Sequence, residues 1–69
     1  MTKEQAVRYF GTQKALADAL DITQPSVAEW GEYPPELQQL RLHRLTNGEL
    51  RAEREVLKKF GAPQLERAA

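Results

Sequence analysis

The sequence predicts an all-α fold, a small bundle of about five short helices. Three observations point there. Helix-capping hydroxyls recur at Thr2, Thr12 and Thr23, each ahead of a run whose apolar residues sit three or four apart. Glycine and proline fall between those runs, at Gly11, Gly31, Pro34-Pro35, Gly48 and Gly61. The chain has 69 residues and no cysteine, which leads to an expectation of one domain at most, without disulfides, held by packed helices and open to further support from a second copy of itself.

The elements follow in order. Thr2-Lys3-Glu4-Gln5 has the form of a capping box, and the helix it opens carries Ala6, Val7, Tyr9 and Phe10 near one side until Gly11 stops it. Thr12 caps a second helix in which Ala15, Leu16, Ala19 and Leu20 make a buried stripe. After Asp21 and Ile22, Thr23 caps a third helix over residues 24–31, with Val27 and Trp30 facing inward and Pro25 tolerated in the first turn. Pro34-Pro35 sets the start of a fourth, from Glu36 to Leu45. There Leu37, Leu40, Leu42 and Leu45 cover an arc of about 200°, wider than one buried face needs. That excess suggests a dimer contact. Asn47-Gly48 reads either as a cap or as the turn of a β-hairpin, which would make the fold α+β. Residues 49–60 favour helix, because Leu50, Val56, Leu57 and Phe60 fall within about 120° of helical arc and Arg54 would spoil the apolar face of a strand. Residues 61–69 read as a flexible tail.

Composition limits the function. Ten basic residues balance ten acidic ones, yet residues 1–33 carry three basic and five acidic side chains while residues 34–69 carry seven and five. Such a balance lacks the basic excess usual in nucleic-acid binders, so any such reading must come from local geometry. With one histidine and no cysteine, no metal centre or cofactor is expected. His43 reads as an ordinary surface residue. There is no Gly-rich phosphate loop, and the carboxylates lie on exposed helical faces, so enzyme activity and a small-molecule substrate are not expected. Neither a membrane span nor a signal segment is present, which leads to an expectation of a cytoplasmic protein.

The informative stretch runs from Gln13 to Trp30. Two helices of about eight residues meet at a tight turn, with Ala17 where they approach most closely and Ile22, Val27 and Trp30 plugging the corner. Asp21 occupies the reversal, a place for left-handed backbone that Asp tolerates at modest cost. This is a helix-turn-helix. Its second helix leaves Thr23, Gln24, Pro25, Ala28 and Glu29 on the outside, and an exposed short helix fits the major groove of B-DNA. Gln24 can pair with adenine. Glu29 either accepts from a cytosine amino group or is simply solvated. Gln13, Lys14, Ser26 and Arg41 are the candidates for phosphate, the first two beside free amides at the start of their helix. Arg41 and Arg44 could equally serve solubility or a dimer-rim ion pair.

The run FGTQKALADALDITQPSVAEW resembles the helix-turn-helix of Cro repressors from lambdoid phages and prophages. The likeness extends to Pro35, to Arg41-Leu42, and to Leu45-Thr46-Asn47-Gly48-Glu49-Leu50, covering about residues 3–51. It implies a DNA-binding domain over residues 1–60 that represses transcription by occupying palindromic double-stranded operators as a homodimer. The positions matching the groove-facing residues of the family are Thr23, Gln24, Pro25, Ala28 and Glu29. The dimer contact is expected from Leu37, Leu40, Leu42, Arg44, Leu50, Leu57 and Phe60, weak enough that dimers assemble mainly on DNA. Family members diverge beyond residue 48, some all-helical and some with a hairpin, so the resemblance leaves that choice open. Zero net charge and Glu29 keep a second reading alive: a helix-turn-helix that binds another protein, as an antitoxin-like partner does.

Overall fold

A computed structural model of the chain describes residues 1–63; within it all regular structure is helical. The helices are α1 (Lys3–Phe10), α2 (Gln13–Leu20), α3 (Gln24–Ala28), α4 (Glu36–Leu45) and α5 (Arg54–Phe60). The capping chemistry appears as expected. Thr2 accepts from the Gln5 amide while Gln5 reaches back to the Thr2 amide, Thr12 accepts from the Ala15 amide, and Thr23 from that of Ser26. Gly11 ends α1 with φ 102°, a conformation open to glycine at little cost, so α1 and α2 can join through two residues. Asp21 ends α2 in the left-handed region, φ 56° and ψ 43°.

Leu16, Ala17, Leu20, Val27 and Leu42 form the centre of the core, together with Met1, Ala6 and Leu50. Val7, Phe10, Ile22 and Trp30 pack against it from the rim. Along α2 the buried stripe runs through Leu16, Ala17 and Leu20. Ala19, expected inside, is exposed, because burying Ala17 turns a residue two positions on to the far side of the helix.

Several boundaries and faces differ from the reading of the sequence. No hairpin follows Asn47-Gly48 among the described residues: Asn47 (φ 54°) and Gly48 (φ 87°) wind down the end of α4. The last helix starts at Arg54, not directly after Gly48, and residues 49–53 run non-helically beneath α4. Lys59 Nζ of α5 meets Glu36 Oε1 of α4 at 3.2 Å. The third helix ends at Ala28, short of residue 31.

The leucine arc of α4 is divided. Leu42 is fully buried, Leu40 half-buried, and Leu37 and Leu45 are 67% and 54% exposed. What completes the inner face is polar: Gln39, His43 and Thr46 are all buried with Leu42. These four positions span about 100° of helical arc, one face of α4. Each polar member addresses the backbone beside it. Gln39 donates to the Pro34 carbonyl at 2.9 Å and accepts from the Glu53 amide at 2.8 Å. Thr46 Oγ1 donates to the Leu42 carbonyl and accepts from the Leu50 amide at 2.9 Å. His43 Nδ1 accepts from the Ala52 amide at 3.1 Å. His43 is therefore interior, not a surface residue, because residues 49–53 need acceptors for their amides. Of the tail expected over residues 61–69, residues 64–69 lie outside the described residues.

Candidate nucleic-acid interface

The outer edge of α3 is set by what its inner edge must do. Val27 is fully buried against α2, so the helix can offer solvent only the residues on its other side. Those are Gln24, Pro25, Ala28 and Glu29, all exposed, with Thr23 exposed at the cap. Ser26 is half-buried, and its hydroxyl pairs with Thr23 Oγ1 at 2.9 Å. The two hydroxyls thus close the first turn and leave the Gln24 amide side chain without a hydrogen-bond partner among the described residues. A free carboxamide at the exposed N-terminal end of a helix can donate and accept at once, the requirement for reading the edge of an adenine.

At the start of α2, Thr12 caps the Ala15 amide, while the Gln13 and Lys14 amides precede the point where intrahelical acceptors begin. Lys14 reaches Asp18 at 3.9 Å in an exposed pair, which water screens and which an incoming phosphate could displace. The helix end and ammonium together suit an anion.

Arg41, expected at a phosphate, is exposed. Its Nη2 donates to the Leu20 carbonyl at 2.7 Å and its Nη1 to Gln38 Oε1 at 3.1 Å. At the other end of the motif, Lys3 Nζ lies 3.3 Å from the Ala28 carbonyl. Composition offered no pointer to Lys3, whose spacing from Ala28 is set by the fold.

Of the residues expected at a dimer contact, Leu42 and Leu50 are core residues of the single chain and are not available to a partner. Leu37, Arg44 and Phe60 are exposed, and Leu40 and Leu57 are half-buried. Tyr33 and Leu45, the latter from the same leucine arc, are exposed as well. Tyr9, whose ring the periodicity placed with the apolar side of α1, is exposed and donates to Glu49 Oε2 at 2.7 Å; this bond, with the nearby carboxylate, holds its hydroxyl proton more tightly than usual.

Residues 2–63 match the family described as DNA-binding transcriptional regulator Cro. The chain is 41% identical over 51 residues to the regulatory protein cro of Salmonella phage P22, an alignment covering 74% of this chain and 84% of that protein. No solved structure matches it.

Proposed function

The chain belongs to the Cro family of DNA-binding transcriptional regulators and is a Cro-like DNA-binding repressor; from that premise we propose that it holds palindromic operator DNA as a homodimer, with α3 in the major groove. The observation that carries the reading is the outward edge of α3, where Gln24 is exposed and its side chain uncommitted while Val27 anchors the helix from behind. Gln24 makes paired hydrogen bonds to adenine, and Glu29 accepts from a cytosine amino group. Pro25 and Ala28 lend apolar contact to thymine methyl groups, and Thr23 lies at the groove edge. Phosphate is met by the start of α2 through Gln13 and Lys14, and by Ser26.

One short recognition helix offers few contacts, so useful specificity requires two copies spaced about one turn of DNA apart. The contact between copies is assigned to Leu37, Leu40, Arg44, Leu57 and Phe60. Such a protein works on DNA in the cytoplasm of a bacterial host, and no helix among the described residues is long and apolar enough to cross a membrane.

Selection from random-sequence duplexes is the test. The expected product is a palindrome whose half-site centres lie about 10 base pairs apart. Recovery of no palindrome at low salt overturns the reading.

A further inference from the structure

Two cations of this domain end on helix carbonyls. Arg41, on α4, spans the Leu20 carbonyl and Gln38. Leu20 is the last residue of α2, and Asp21 then carries the chain through its left-handed turn toward α3. Lys3, on α1, reaches the carbonyl of Ala28, the last residue of α3, and its own amide donates to the Glu32 carbonyl at 2.9 Å, just beyond. The last four carbonyls of a helix have no intrahelical donor and carry the negative end of its dipole, so a guanidinium or ammonium is the fitting cap. In α2 the Asp21 and Ile22 amides turn back to Asp18 and Ala17. Arg41 takes the Leu20 carbonyl from outside the motif.

We propose that Arg41 is a positioning residue for DNA recognition, with Lys3 as its weaker counterpart: they grip the carbonyl ends of α2 and α3 and so fix the angle at which Gln24 meets the groove. The proposal rests on the reading that α3 enters the groove. Residues 21–23 alone join the two helices, and a small rotation there displaces the whole edge of a five-residue helix. Paired hydrogen bonds to one base tolerate little such displacement. Arg41 ties the turn to α4, which is itself anchored in the core by Leu42. Both acceptors of Arg41 are neutral, so its charge remains; that makes the salt dependence of binding the decisive readout.

The experiment uses the full chain, the Arg41→Ala, Arg41→Lys and Lys3→Met variants, and the duplex recovered by the wild-type selection. Affinity is measured across a salt series against that duplex and a scrambled one, and amide exchange is followed on the free proteins. Arg41→Ala is expected to lose about tenfold in affinity for the selected duplex. Its slope of log affinity against log salt stays as in wild type, discrimination against the scrambled duplex shrinks, and amides of residues 20–27 exchange faster. Arg41→Lys keeps the charge but not the two-pronged donor, and recovers less than half of the loss on a logarithmic scale. Lys3→Met loses about threefold or less.

A salt slope shallower by about one unit in Arg41→Ala, restored by Arg41→Lys, with exchange unchanged, makes Arg41 a phosphate ligand and overturns the proposal. Wild-type affinity combined with a lower melting temperature overturns it as well, since that is a stabilising contact alone. Where Arg41→Ala does not fold, Arg41→Lys decides by affinity and exchange: weaker binding with faster exchange over residues 20–27 supports the proposal, and wild-type affinity with unchanged exchange overturns it. Should the wild-type chain recover no duplex, the groove reading fails by itself, and the exchange profile still decides whether Arg41 holds the turn.

Discussion

The first three helices and the segment after α4 are held by opposite means. From α1 to α3 the contacts are apolar: Ala6, Leu16, Ala17, Leu20 and Val27 meet around a common centre, and the polar groups serve mainly as caps at helix ends. From residue 46 to 53, three polar side chains of α4 take up backbone amides one at a time, and Leu50 and Ala52 fill the spaces between. Apolar packing is tolerant of direction and depends on volume. Hydrogen bonds from a buried helix face specify the path of a segment that has no periodicity of its own. The outer edge of α3 thus stands on the part of the molecule built by packing, while polar contacts shape the segment after α4.

The largest effect is expected at the core. Leu16→Ala removes a fully buried side chain and is expected to cost about 2–5 kcal/mol by urea denaturation, with both regions unfolding together. Protection of residues 46–60 that outlasts the loss of α1–α3 would show that the two regions do not share a core. Thr46→Val keeps the shape but strands the Leu50 amide, a loss of about 1–3 kcal/mol. Here amide exchange is expected to rise over residues 48–60 and stay flat in α2; a uniform rise would erase the distinction between the regions.

A pH series sharpens the same contrast. Burial, then the charges of Arg51 and the N-terminal ammonium, push the His43 imidazole below its ordinary value of 6.5. Nδ1 must also stay unprotonated to accept from Ala52. On falling pH the unfolded chain binds this proton before the folded one does. The contribution of His43 is therefore complete above about pH 6.5 and is lost as pH falls below it toward the lowered folded value. Wild type should lose stability over that window, and His43→Gln should lose less; parallel curves for the two proteins would refute the role. The smallest effect belongs to the turn. Asp21→Gly relieves a left-handed non-glycine residue, and thermal melting should show a gain of up to about 1 kcal/mol. A loss there would mean that the aspartate side chain supports the turn.

The sequence displays the first region well because capping residues and apolar spacing are local signals. Thr2, Thr12 and Thr23 cap where they stand, and the Glu36–Leu45 helix has its expected ends. The second region escapes such reading. Leucine spacing alone drew the inner face of α4 too widely, and assigned Leu42 and Leu50 to a partner surface although the chain's own core uses them. Gln39, His43 and Thr46 carry the missing signal, a polar stripe at i, i+4 and i+7. A stripe of that kind is ordinarily solvated, and only a neighbouring segment in need of acceptors makes it interior. Arg41 illustrates the same limit, since its hydrogen bond to the Leu20 carbonyl depends on how α4 packs against α2, which residue spacing does not show.

The central claim is that the edge of α3 enters the groove while the region shaped by polar contacts stays clear of it. Titration of the isotope-labelled chain with the selected duplex, followed by amide chemical shifts, addresses it directly. The largest changes are expected at residues 13–14 and 23–29, with Gln24→Ala abolishing the preference at one base step and residues 49–53 barely moving. Changes concentrated along residues 46–60, with α3 silent, would contradict the account.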